Sequence, residues 1–173
     1  MVPGDVEDAF AHLPYRPNVG AALFNRDGLV LVARRADLRN GSRVWQLPQG
    51  GIDANEAPAA AVLRELREEI GTDQAEIIGE HPDWLSYDLP AHLIGRSLGG
   101  RYRGQRQRWF ALRFTGSDSD IRLDLDPHPE FDAWKWLELA ALPAQEVGFK
   151  QAIYTILAIS FAPFAVPVGA RSR

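Results

Sequence analysis

Apolar and polar positions alternate along this chain in two rhythms. Short runs that are apolar and partly β-branched predict strands over Val19 to Asn25 and Leu29 to Arg35, with Arg26-Asp27-Gly28 between them as a hairpin turn. Val44 to Leu47 predicts a short strand feeding a Pro48-Gln49-Gly50-Gly51 loop, and Glu76 to Glu80 and Trp84 to Leu89 predict two more. Over Arg106 to Thr115 the alternation is regular: Trp109, Ala111 and Arg113 face one way, Phe110, Leu112 and Phe114 the other. Phe131 to Leu137 completes the strands. Helical spacing appears twice, in the segment ending at Gly71 and over Ala144 to Ala162, where Ile153, Ile156, Leu157 and Ser160 predict a core-packing face. Alternating strands and helices in 173 residues predict one α+β domain with a mixed sheet.

The segment Gly50 to Thr72, GGIDANEAPAAAVLRELREEIGT, changes that picture from fold to chemistry. Ala57 to Ala61 are strong helix formers, Asn55 is placed as N-cap, Pro58 falls in the first turn and Gly71 suits the C-terminal stop. At about 100° per residue, Glu65 and Glu69 project roughly 40° apart and Glu65 and Glu68 roughly 60° apart. Three carboxylates therefore share one side of one helix. Like charges so spaced destabilise a helix unless something neutralises them, and an oxygen-only donor set selects Mg²⁺ or Mn²⁺ over zinc. The plainer reading is a solvated acidic face held by pairs such as Arg64 with Glu68.

The register decides between these readings. Gly50 is followed by five residues and Glu56, then by seven and Arg64-Glu65, with Leu66, Arg67, Glu68-Glu69, Ile70 and Gly71 in step. This segment resembles a Nudix box, and the resemblance implies the α/β/α sandwich of Nudix proteins. Thr72 departs from the pattern, which has a bulky aliphatic there, and the swap is expected to lose a little packing and leave the chemistry alone.

Outside the box, YRPNVG at Tyr15 to Gly20, ARR at Ala33 to Arg35, WQLPQGGI at Trp45 to Ile52 and YDLP at Tyr87 to Pro90 resemble the bacterial RNA pyrophosphohydrolase branch, also described as dinucleoside polyphosphate hydrolases. GQRQRWF, PEFDAWKW and VGFK at Gly104, Pro129 and Val147 extend the resemblance to about Ala162. It implies that Glu130 reaches the metal site from a loop and that Arg35 and Phe149 sandwich the first base of the substrate. Arg16, Gln107 and Lys150 are candidate phosphate contacts, and Tyr87 a candidate cleft residue. Two departures stand out: Ala36 to Val44 is longer than the usual connection, and Val44 replaces a serine that often touches phosphate. Ser42 or the loop backbone is available to compensate.

The implied reaction is Mg²⁺-dependent hydrolysis of a phosphoanhydride. Gly50, Glu65, Glu68, Glu69 and Glu130 are the expected metal ligands, and Glu68, Glu69 or Glu130 the proton acceptor. Glu56 and Arg64 are expected to orient the carboxylates. The implied substrates are 5′-triphosphorylated RNA, which would yield a 5′-monophosphate and pyrophosphate, or a dinucleoside polyphosphate. The altered loop keeps a nucleoside diphosphate sugar open. A noncatalytic nucleotide- or RNA-binding module is a further alternative, disfavoured because it would have no reason to keep such carboxylate repulsion.

Composition adds exclusions. The net charge of −4 is not that of a general nucleic-acid binder, although Arg96, Arg101, Arg103, Arg106 and Arg108 crowd one stretch. That stretch reads as a solvated loop or as electrostatic support for an RNA 5′ end. Without cysteine there is no disulfide, zinc-thiolate site or thiol nucleophile. The acidic MVPGDVEDAFAHLP start lacks the order of a signal peptide, and the apolar run Ala152 to Val168, broken by Pro163 and Pro167, is shorter than a span of about 20 residues. The expectation is a cytoplasmic protein without a membrane segment, with residues 1–14 mobile, 15–162 folded and 163–173 a flexible tail.

Overall fold

A computed structural model describes residues 11–36, 44–145, 148 and 150–169. The strands are β1 (Tyr15–Phe24), β2 (Val30–Arg35), β3 (Trp45–Gln46), β4 (Gln49–Gly51), β5 (Ala75–Glu80), β6 (Leu85–Asp88), β7 (Gly104–Phe114) and β8 (Phe131–Leu137). Two α-helices accompany them, α1 (Pro58–Ile70) after β4 and α2 (Gln151–Ser160) after β8. The backbone of the sheet runs β3-β2-β1-β7-β5, with β8 on β2, β6 on β7 and β4 on β1. β1 and β7 pair in parallel along the whole of β1, from Tyr15 opposite Gly104 to Phe24 opposite Arg113. The other pairings are antiparallel, so the sheet is mixed, as expected.

β7 is buried on both faces because a helical layer covers each. Phe110, Leu112 and Phe114 pack with Ala61, Val62, Leu66 and Ile70 of α1. Trp109 and Ala111 pack with Ile153, Tyr154 and Leu157 of α2. The central strands leave no slack: a Cβ on Gly20 would lie 2.2 Å from the Trp109 ring. The result is the α/β/α sandwich.

The helix ends differ from expectation. Asn55 does not cap α1; it turns the loop with φ 64°, and Ala57 precedes the helix without a side-chain cap. The Glu56 carboxylate organises that loop instead, accepting the Asp53 N–H at 3.1 Å. Gly71 closes the helix at φ 77°, as its sequence position predicts. Thr72 is buried, and its hydroxyl accepts the Gln74 N–H at 3.1 Å, so the polar replacement in the box is satisfied. The last helix is shorter than Ala144 to Ala162, because Pro143 holds Leu139–Gln145 in a 3₁₀ run and Gly148 adopts φ 108° before α2 begins. Ile153 and Leu157 are buried, but Ile156 faces outward and Tyr154 and Phe161 fill the core in its place. Beyond Ala162–Phe164, the Val168 N–H donates to the Arg26 carbonyl at 2.8 Å, tying this segment to the β1–β2 turn. Among the described residues no helix is long and apolar enough to cross a membrane.

Candidate active site

The site forms where β4 crosses β1 and lays two glycines against α1. A Cβ on Gly50 would fall 2.0 Å from the Glu65 carboxyl carbon, and one on Gly51 would fall 2.4 Å from an Arg16 guanidinium nitrogen. Both positions must lack a side chain for these groups to approach the backbone. Gly50 of the box thus marks the close approach of the Glu65 carboxylate to the β4 backbone.

Arg64 organises the carboxylates. Its Nε and Nη2 donate to the two oxygens of Glu56 at 2.8 Å each, and Nη2 also donates to the Gly51 carbonyl at 2.8 Å. Nη1 reaches Glu65 at 2.9 Å and Glu68 at 3.1 Å. One planar fork therefore ties the β4 backbone, the loop before α1 and two carboxylates of the helix. Hydrogen bonds from Arg64 and from the Asp53 backbone hold the Glu56 carboxyl down at about 2. The Glu56 contact in turn keeps Arg64 firmly protonated.

Glu69 is the opposite case. It is 8 % exposed and its Oε2 has no hydrogen-bond partner. Burial pushes its carboxyl well above the usual range, the facing Glu130 and Glu65 push it further, and the Gln49 N–H opposes them. Burial also raises Glu65, against the pull of Arg64. Among the described residues no three His, Asp or Glu side chains stand arranged to hold a metal ion, and Arg64 occupies Glu65 and Glu68. The donor chemistry nevertheless suits a hard cation: the oxygens are carboxylate or carbonyl, mutually repelling, and one is buried without a partner.

A cleft of about 430 Å³ brings Arg16, Arg35, Gly50, Glu65, Glu69, Tyr87, Glu130 and Lys150 to one surface. Arg16 has no ion-pair partner among the described residues, and the Lys150 ammonium lies 5.9 Å from the Tyr87 ring centre. Tyr87 both lines the cleft and packs in the core. Glu68 is not in that lining; it faces a smaller recess of about 110 Å³ behind the carboxylates, with Asp126 and His128. Phe149, Ser42 and most of the Ala36 to Val44 connection lie outside the described residues.

Gln107 requires correction. It is 1 % exposed, its amide donates to Asn18 and Gln49 at 3.0 Å each, and its carbonyl accepts the Trp109 indole N–H at 3.1 Å. Its polar atoms are consumed inside the protein, so it positions the cleft floor and has nothing left for a phosphate. We expect Gln107→Leu to lower stability by about 1–3 kcal/mol in thermal or urea unfolding, because it strands the Asn18, Gln49 and Trp109 groups. Gln49, Asn18 and Gln105 line the cleft and were not among the expected residues. Gln105 had a signal, its place two residues from Gln107 on one face of β7.

The arginine stretch divides. Arg103 pairs with Asp88 at 3.0 Å and Arg108 with Glu80, while Arg106 stacks 4.2 Å from the Trp84 ring centre. Arg96 and Arg101 are exposed and without acidic partners among the described residues.

Residues 14–156 match the NUDIX domain family. The chain belongs to that family. It is 64 % identical over 162 residues to the RNA pyrophosphohydrolase of Gluconacetobacter diazotrophicus, covering 91 % of this chain and 97 % of that protein. It is 62 % identical over 159 residues to the protein of that name in Acidiphilium cryptum, covering 91 % and 96 %. Among solved structures, the E. coli dihydroneopterin triphosphate pyrophosphohydrolase aligns with a TM-score of 0.61 at 21 % identity, over 85 % of this chain and 99 % of that one. A C. elegans Ap4A hydrolase complex aligns with a TM-score of 0.58 at 20 % identity, over 85 % and 96 %. These two likenesses speak for the Nudix fold alone.

Proposed function

We propose that this Nudix protein is a cytoplasmic RNA pyrophosphohydrolase that removes pyrophosphate from the 5′-triphosphate end of RNA, leaves a 5′-monophosphate and so commits transcripts to decay. The observation that carries this reading is the cleft in which the buried Glu69 carboxylate, repelled by Glu65 and Glu130, meets the cations of Arg16, Arg35 and Lys150. The near full-length similarity to proteins named RNA pyrophosphohydrolase narrows the substrate from phosphoanhydrides in general to RNA ends.

Gly50, Glu65, Glu68, Glu69 and Glu130 are the residues that would hold Mg²⁺, with Mn²⁺ as a substitute. A bound divalent cation supplies charge neutralisation on the phosphate oxygens and acidifies water. The remaining work belongs to the side chains. Arg16 and Lys150 hold phosphate oxygens by charge-assisted hydrogen bonds. Arg35 stacks on the first base, a contact worth roughly 1–3 kcal/mol. Glu68, Glu69 or Glu130 takes the proton from the attacking water, and Glu69 is suited to it because burial raises its affinity for a proton. Arg64 keeps the carboxylates aimed.

Product analysis on 5′-triphosphorylated RNA, diadenosine tetraphosphate and a nucleoside diphosphate sugar, at equal concentration with Mg²⁺, tests the reading. The expected result is fastest turnover of RNA with release of pyrophosphate. Preference for the sugar nucleotide with little RNA turnover overturns it and points to the Ala36 to Val44 connection as the switch.

A further inference from the structure

Three residues of the cleft stand in one cross-strand row. Arg16 of β1 and Tyr87 of β6 flank the same residue of β7, Gln105, and all three line the cleft. The next row along is Tyr15, Gly104 and Asp88. Successive residues of a strand point to opposite faces, so this second row faces away from the cleft. Gly104 at its centre carries no side chain, and a Cβ there would fall 1.9 Å from the Tyr87 carbonyl oxygen. The middle of the row is therefore open, and Tyr15 reaches over it: its hydroxyl donates to Asp88 Oδ1 at 2.6 Å.

Arg103 locks this bond. Its Nε donates to Asp88 Oδ1 at 3.0 Å and its Nη2 to Oδ2 at 3.2 Å, while its guanidinium carbon lies 4.9 Å from the Tyr15 ring centre. Its backbone also ties the strands on either side: the N–H donates to the Pro14 carbonyl at 3.0 Å, and the carbonyl accepts the Leu89 N–H at 2.8 Å. Among the described residues β6 is four residues long and pairs with β7 alone, so it has few ladder bonds of its own to fix its place. The Arg16 guanidinium lies against the bare Gly51 backbone, and its chain neighbour is the clamped Tyr15. Asp88 is exposed and Tyr15 and Arg103 are half-buried, so these polar contacts add little to global stability. What they set is the spacing of β1 and β6 across β7, and with it the gap between Arg16 and Tyr87.

We propose that Tyr15, Asp88 and Arg103 form a clamp that positions Arg16 for the phosphates of the substrate. None of the three lines the cleft, so they are positioning residues. This rests on the reading above, in which Arg16 holds phosphate oxygens.

The test is steady-state kinetics of the full-length protein on 5′-triphosphorylated RNA with Mg²⁺. Tyr15→Phe and Asp88→Asn are made singly, together, and each in an Arg16→Ala background. One removes a hydroxyl and the other a surface charge, so melting temperatures should stay close to wild type. Each single variant is expected to raise KM by about 3–10-fold with kcat within about two-fold. Mg²⁺ affinity by isothermal titration should not change, because Arg64 and not the clamp holds the helix carboxylates. Together the two substitutions should cost no more than the worse one alone, as members of one network do. Without the Arg16 side chain neither should raise KM further. An unchanged KM in both single variants, or a rise that persists in full in the Arg16→Ala background, overturns the clamp. Wild-type protein that hydrolyses diadenosine tetraphosphate but no triphosphorylated RNA overturns the RNA reading instead, and the same KM comparison on that substrate then decides the clamp.

Discussion

Glu69→Gln is expected to lower kcat by about 10²–10⁴-fold while making the metal-free protein more stable at neutral pH. Loss of activity follows from removing a carboxylate that faces both Glu65 and Glu130 at the head of the cleft. The gain in stability follows from the same burial. In the folded protein this carboxyl holds its proton to a higher pH than in the unfolded chain, so between the two values the folded state carries more protons. Stability therefore falls as pH rises from about 4.5, where the unfolded carboxyl ionises, towards the raised folded value. Glutamine keeps the shape and removes the ionisation. Melting temperatures in EDTA across pH 4.5 to 8 check this: wild type should decline steadily, and the variant should decline less. Some slope persists in the variant, because burial raises Glu65 in the same direction. Addition of Mg²⁺ should close the gap by stabilising wild type more than the variant. A variant with full activity, or one less stable than wild type in EDTA at pH 7.5, contradicts the assignment.

Much of this site was legible in the sequence because its constraints are local. Gly50, Glu56, Arg64 and Glu65 are fixed relative to one another by one helix and one loop, so their spacing along the chain already encodes the geometry. Gly71 and Pro58 are legible for the same reason, each answering a backbone requirement at a helix end. Strand β7 is legible as alternation, but the alternation could not say that helices cover both its faces. Gln107 was misread for a related cause: the face of β7 that opens on the cleft at Gln105 is closed at Gln107 by Asn18 and Gln49, which come from other strands. Asn55 has the right chemistry for a cap, yet Glu56 captures Arg64 and the Asp53 N–H and shifts the helix start beyond it. Glu130 reaches the site across the sheet, so resemblance located it where periodicity could not. The late start of α2 shows tertiary and proline effects overriding helical spacing.

Arg64→Ala is expected to produce the second large effect, and it separates positioning from catalysis. Arg64 does not line the cleft, yet it neutralises Glu56, Glu65 and Glu68 and grips the Gly51 carbonyl. Its removal leaves those carboxylates facing one another and frees the Gly50-Gly51 backbone from the helix. Divalent-ion affinity should fall by about 10–100-fold, as for other partners that orient ligating carboxylates. Because Arg64 is only 19 % exposed at its side chain and anchors a half-buried cluster, unfolding free energy should fall by about 2–4 kcal/mol. Raising Mg²⁺ should recover much of the kcat, since the residues that touch substrate are intact. That recovery is the signature of a positioning residue, and Glu69→Gln should not show it. Arg64→Lys keeps the charge but cannot span four acceptors with a single ammonium, so it should restore stability better than metal affinity. Isothermal titration with Mg²⁺ and Mn²⁺, paired with unfolding in EDTA, reads both quantities. Unchanged metal affinity in Arg64→Ala would show that the carboxylates need no fork to aim them.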